Sequence, residues 1–253
     1  MINIGTENEK QLVKALNKVQ FKKLNINLQN MIEMIFGPQK PTTKIHCRLT
    51  DNFIKPDIIV ECDGKQAFIS VKNNRAEIVH REEIKSFILF LRQFGISIET
   101  QKTLLLYQFG DGTMDGTGSK RMNYHEVYDW LHNHIDKANE ELNGKFEIIM
   151  ETFVRVLFQG VDITAQSADY IYYGTVDYGI IVSRKQLEQH LKTKEWGWYD
   201  NLHIGPILLK PHARYANKAV VDDFRRRQIT FYWPKMQADL NYIGKRYNFR
   251  SGG

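Results

Sequence analysis

The sequence predicts an α/β fold, and three observations predict it. Lys55–Asn74 (KPDIIVECDGKQAFISVKNN) holds two short β-type runs around Asp63-Gly64, a two-residue turn signal, and reads as a β-hairpin. Segments with helical periodicity lie on both sides of it, before Pro38 and over Glu82–Phe94. The apolar run Thr103–Phe109 (TLLLYQF) then reads as a buried strand.

Taken in order, Gly5-Thr6-Glu7-Asn8-Glu9 leads into Leu12, Val13 and Leu16, an amphipathic helical pattern. Thr6-x-x-Glu9 has the spacing of a capping box, in which the glutamate satisfies a backbone N–H at the helix start. Gln20–Phe36 repeats the helical spacing through Leu24, Leu28, Met31, Ile32 and Ile35, and Gly37-Pro38 stops it. Lys44–Leu49 is a strand leading through a polar turn into the hairpin. Within the hairpin, Ile58-Ile59-Val60 and Ala67–Val71 are the strands. Side chains alternate along a strand, so Ser70 and Lys72 share one face and Val71 points to the other. Asp57 opens the first strand behind Pro56, and sheet twist brings it towards the Ser70/Lys72 face. In the next helical segment Ile84, Phe87, Ile88, Leu91 and Phe94 form one apolar face.

A carboxylate beside an ammonium can hold a divalent cation and stabilise charge developing on a phosphate. Pro56-Asp57, a spacer, then Ser70-Val71-Lys72 resembles the PD-(D/E)XK nuclease signature of restriction endonucleases, Holliday-junction resolvases and many repair and phage-defence nucleases. The resemblance covers about Gly5 to Phe109. It implies a restriction-endonuclease-like core with a mixed central β-sheet flanked by helices. It also implies a Mg²⁺-dependent DNA endonuclease, with Mn²⁺ able to substitute, and dimerisation is an expectation at family level. Ser70 departs from the pattern, standing where the family has an acid. Some members with a Ser-x-Lys version take the missing acid from the following helix, and here that implies Glu82 or Glu83. In resolvase-like members a glycine followed four residues later by glutamate opens the first helix, and Glu9 falls at that position. The implied metal ligands are therefore Asp57, Glu9 and one of Glu82 and Glu83, with Lys72 acting on the attacking water and Ser70 lending a hydroxyl. A second function class stays open: a non-catalytic nucleic-acid-binding or assembly subunit in which Ser70 marks a lost acid.

Beyond Phe109 the resemblance is silent, and the expectation is a nuclease-like core over residues 1–110 with an α+β elaboration over 111–253. Gly110–Gly118 (GDGTMDGTG) fails as a P-loop because Ser-Lys follows it, and fails as an EF-hand because Thr113 and Met122 occupy ligand positions. It reads as a mobile surface loop. Helices are expected over Tyr124–Leu142 and Phe146–Phe158, strands over Asp169–Tyr173 and Tyr178–Val182, and a helix capped by Ser183. His132 and His134, two apart on a helix, point in different directions and make no paired metal site. Near the end, Trp196, Trp198, Tyr199, Tyr215, Phe231, Tyr232, Trp233, Tyr242 and Tyr247 alternate with Lys and Arg. Such a mixture suits phosphates and stacked bases, and Arg225-Arg226-Arg227 is the expected phosphate contact. The competing reading is a core strand at Ile229–Trp233 with a solvated basic face.

A formal charge of +6 is compatible with a polyanionic partner, DNA first and RNA not excluded. At 42% hydrophobic and 25% charged residues, the composition is that of a globular chain rather than a disordered one. No apolar run approaches the roughly 20 residues of a spanning helix. MINIGTENEK lacks the basic start and apolar stretch of a secretory signal, so the cytoplasm is the expected compartment. Cys47 and Cys62 have no zinc spacing and read as buried thiols.

Overall fold

The computed structural model describes residues 4–50, 55–73, 77–118, 121–193, 201–212 and 224–248. In chain order the elements are α1 (Ile4–Leu16), β1 (Val19–Gln20), α2 (Ile26–Phe36), β2 (Lys44–Leu49), β3 (Ile58–Cys62), β4 (Lys65–Lys72), β5 (Ile78–Glu83), α3 (Ile84–Arg92) and α4 (Ile98–Phe109). There follow α5 (Tyr124–Gly144), α6 (Phe146–Phe153), a π-helix (Val154–Gln159), β6 (Tyr170–Gly174), β7 (Gly179–Ser183), α7 (Arg184–Thr193), β8 (His203–Ile204), β9 (Ile207–Pro211), β10 (Gln228–Tyr232) and α8 (Met236–Asn248). The chain falls into two compact units: Met1–Ala76, Val154–Lys194 and Lys235–Gly253 make the first, and Glu77–Phe153 with Glu195–Pro234 the second. Residue 110, the expected limit of a core domain, lies inside the second unit.

The first unit is built on a mixed sheet of order β1-β2-β3-β4-β6-β7. Asp63 (φ 48°) and Gly64 (φ 76°) both take positive φ, the backbone of the type I′ turn that Asp-Gly favours. That turn sets the β3–β4 register, Cys62 opposite Lys65 and Ile58 opposite Ile69. β6 then joins β4 in parallel, with Ile69 opposite Tyr170 and Lys72 opposite Tyr173. Leu12 and Leu16 of α1 and Leu28, Met31 and Ile32 of α2 pack on Ile45, Cys47, Ile58, Val60, Ile69, Val71 and Tyr172. Leu12, Leu16 and Ile32 are fully buried, and each such side chain contributes about 1.5–3 kcal/mol. Because Ile69 and Val71 serve this core, the period of two sends Ser70 and Lys72 to the other face. The helix expected over Gln20–Phe36 starts only at Ile26, where Asn25 accepts the Leu28 N–H at 2.9 Å.

The second unit holds an antiparallel sheet of order β5-β10-β9-β8. Two expectations are corrected here. Thr103–Phe109 is not a strand but the second half of α4, capped at its start by Ser97 and closed by Gly110 in the left-handed region (φ 57°). Its wide buried face, Thr100, Thr103, Leu104, Tyr107 and Gln108, produced an apolar run whose period does not tell a buried helix from a strand. Glu82 and Glu83 do not open a helix either: they end β5, opposite Ile229 and Gln228 of β10, and α3 begins at Ile84. Elsewhere α5 carries the full capping box Asn123/Glu126, and the helix from Phe146 passes into the π-helix after Phe153.

Candidate active site

Asp57 extends the hairpin ladder by one step, its N–H donating to the Ile69 carbonyl at 2.9 Å. That places its carboxylate over the neighbouring strand. Oδ2 accepts from the Val71 N–H at 2.5 Å and from the Ser70 hydroxyl at 3.2 Å. Thr50, after β2, holds the same turn from the other side through Pro56 O and the Asp57 carbonyl. Ser70 is fully buried, so its hydroxyl orients Asp57 instead of meeting solvent. Lys72 ends β4 on the Ser70 face and is half-buried.

Glu9 arrives from a different direction. The core side chains Leu12 and Leu16 fix α1 on the sheet, and Asn8 donates to the Gly174 carbonyl at 2.9 Å, at the end of β6. Since Lys72 stands opposite Tyr173, this bond brings the Asn8–Glu9 turn to the sheet end where β4 finishes. The electrostatics agree: the Glu9 carboxyl is pushed up to about 7 by burial first and by the negative charge of Asp57 second, while the Lys72 ammonium pulls it down. Three charged groups from α1, the start of β3 and the end of β4 therefore share one neighbourhood. Asn8 is a positioning residue that sequence reasoning missed. Its only signal was its place beside Glu9.

Two carboxylates that repel one another, next to an ammonium, fit a hard divalent cation: Mg²⁺ commonly binds through one or two carboxylates and keeps several waters. The larger ligand set is not found. Among the described residues no three His, Cys, Asp or Glu side chains stand together as a metal site. Glu82 is buried with Oε2 3.1 Å from His80 Nε2, and Glu83 is exposed where β5 meets α3. Both stand at the end of β5, where pairing with β10 and not a helix fixes them.

The arginine triplet is also divided by the structure. Phe224–Arg227 form a 3₁₀ turn, and Arg226 points inward, its Nη2 donating to Asp111 Oδ2 at 2.6 Å and to Gly118 O at 2.9 Å. Both side chains of this ion pair are buried, which removes Arg226 from phosphate contact; Arg227 is exposed. The Gly110–Gly118 loop is tied together by the same carboxylate, with Asp111 also accepting from Thr113 N, Thr113 Oγ1 and Gly118 N. Of the aromatic residues expected to stack on bases, Phe231 and Trp233 are core, packed edge-on against Phe87 and Phe153. Lys210 lies over the Tyr232 ring at 4.0 Å. Trp196, Trp198, Tyr199 and Tyr215 lie outside the described residues. Cys47 and Cys62 are buried as expected, and burial pushes the Cys47 thiol up to about 12.

No protein-family model and no curated protein matches the chain. Among solved structures the chain is similar to restriction endonuclease MspI in complex with its cognate DNA, at 12% identity and a TM-score of 0.46, over 90% of this chain and 88% of that one.

Proposed function

We propose that this chain is a Mg²⁺-dependent DNA endonuclease of the restriction or phage-defence type, hydrolysing phosphodiester bonds at the Glu9–Asp57–Lys72 site. The observation that carries the reading is the convergence of those three groups from separate elements at one sheet end. Glu9 and Asp57 would hold the cation, with Mn²⁺ as a substitute. A bound Mg²⁺ supplies Lewis-acid stabilisation of the phosphate and an acidified water. Ser70 and the Val71 N–H keep the Asp57 carboxylate aimed, so no reorganisation is needed when substrate arrives. Lys72 orients the attacking water and offsets charge gathering on the phosphate oxygens. Glu9 must give up its proton to act as a ligand. Arg225 and Arg227 are the remaining candidates of the triplet for phosphate contact.

A second reading, a nucleic-acid-binding subunit without catalysis, is favoured by one observation: a serine stands at the family's acid position, and among the described residues no third carboxylate joins Glu9 and Asp57 as a metal site. Incubation with plasmid DNA, and with RNA in parallel, separates the two. The endonuclease reading expects cleavage that needs Mg²⁺ or Mn²⁺ and falls about 10²- to 10⁴-fold in Lys72→Ala and in Asp57→Ala. DNA retention with no cleavage under any divalent cation would leave the binding subunit standing, and cleavage unchanged in both variants would move the chemistry elsewhere.

A further inference from the structure

The connection between the π-helix and β6 presents an apolar tip. Val161 is 46% exposed and Ile163 80%, the highest exposure of any large hydrophobic side chain among the described residues. Exposure of this kind usually accompanies a loose loop, but here the backbone is tied down. Gln159 Nε2 donates to the carbonyls of Asp162, Ile163 and Ala165 at 3.3, 3.2 and 2.9 Å. Asp162 Oδ1 accepts from Thr164 N and Oγ1 at 2.9 and 2.7 Å, and Ala168 N–H closes the loop onto the Phe158 carbonyl at 2.8 Å. The loop also begins beside the candidate site. A Cβ on Gly160 would stand 3.6 Å from Cβ of Lys55, two residues before Asp57. Bond lengths and chain reach then put Gly160 within about 14 Å of Asp57.

A side chain presented on a pre-ordered support loses little conformational freedom when it is buried by a partner. Isoleucine is among the residues that enter duplex DNA as wedges between base steps. Ile163 lies three residues further on, so chain reach puts the tip within about 25 Å of Asp57, or about seven base pairs at about 3.4 Å per step along DNA whose reacting phosphate sat at Asp57 and Lys72. We propose that Ile163 is such a wedge, unstacking a base step of the duplex held at the candidate site, with Val161 buried beside it. This inference rests on the endonuclease reading.

Mixed-sequence duplexes carrying 2-aminopurine at scattered positions report unstacking as a rise in fluorescence, and they are titrated with the full chain and with Ile163→Ala, in Mg²⁺ and in EDTA. The wild-type chain is expected to raise the signal. Ile163→Ala is expected to lose that rise and bind about tenfold more weakly, with Mn²⁺ uptake unchanged. Binding or cleavage by the wild-type chain without a rise, or with Ile163→Ala equal to it, overturns the wedge and leaves the endonuclease intact. Sedimentation that shows Ile163→Ala turning a dimer into monomers also overturns it, assigning the tip to a contact between copies. A wild-type chain that neither binds nor cuts duplex DNA removes the endonuclease reading, and the wedge with it.

Discussion

Glu9 shows how much one residue's surroundings decide. As read in sequence it can serve as a capping-box glutamate, as a ligand, or as both; in the fold, burial and the Asp57 charge raise its carboxyl from an ordinary 4.5 to about 7. The folded chain thus holds this proton more tightly than the unfolded chain between about pH 4.5 and 7. The stabilisation is full below that window and is lost as pH rises through 7. A cation needs the ionised carboxylate, so uptake has the opposite sign, strengthening as pH rises through about 7 and releasing a proton. Calorimetric titration of Mg²⁺ or Mn²⁺ on either side of neutrality, in buffers of different ionisation enthalpy, measures both. Glu9→Gln should abolish the proton release and weaken uptake by more than the roughly 10- to 100-fold that loss of an outer partner costs. Proton release that persists in Glu9→Gln would place the titrating group elsewhere. Asp57, Ser70 and Lys72 were legible because strand alternation and an Asp-Gly turn constrain them locally. Asn8 was not, since its partner at Gly174 comes from a strand far along the chain.

At the scale of elements, a buried ion pair, Asp111 with Arg226, ties the loop Gly110–Gly118 to the turn Phe224–Arg227. Asp111 accepts from the loop backbone and from Arg226 Nη2 together, while Gln108 of α4 donates to the Arg226 and Gln228 carbonyls at 3.0 and 2.9 Å. Breaking a buried pair by removing one partner strands the other charge, so Arg226→Met should cost about 3–5 kcal/mol. Urea unfolding reads that loss as a lower midpoint, and Arg226→Met with Asp111→Asn should recover part of it. Arg227→Ala, at an exposed position, should leave the midpoint in place. If Arg226→Met unfolds like the wild type, the pair is not what holds the loop. The same scale explains the two misplaced elements. The Leu104–Leu106 run has no period of its own, so Ser97 and Gly110 as caps were the better guide to α4. The strand β5, of which only Glu82 and Glu83 fall in the helical-looking pattern, went unread because its partner, β10, follows more than a hundred residues later.

For the whole molecule, a surplus of six positive charges is a statement about partners and not about fold. If the partner is DNA, affinity should fall linearly in log–log form with salt between roughly 50 and 200 mM, and Arg227→Ala should reduce that slope by about one phosphate. Filter retention on labelled duplex measures it, and salt-independent binding would speak against a phosphate-led contact. No helix among the described residues is long and apolar enough to cross a membrane. The two units draw on separated stretches of chain, passing from one to the other after Ala76, Phe153, Lys194 and Pro234, and no composition shift or linker marks those points. What the sequence determined by itself was local: the α/β class, the I′ hairpin, most helices, and the Asp57, Ser70 and Lys72 positions on it. Only the tertiary structure decided that β6 lies parallel to β4, that Glu9 reaches Asp57, that Glu82 and Glu83 belong to another sheet, and that Arg226 is turned inward. The reason is physical. Periodicity and turn chemistry act over a few residues, whereas strand partnership and the pooling of charge depend on contacts between segments that carry no record of one another.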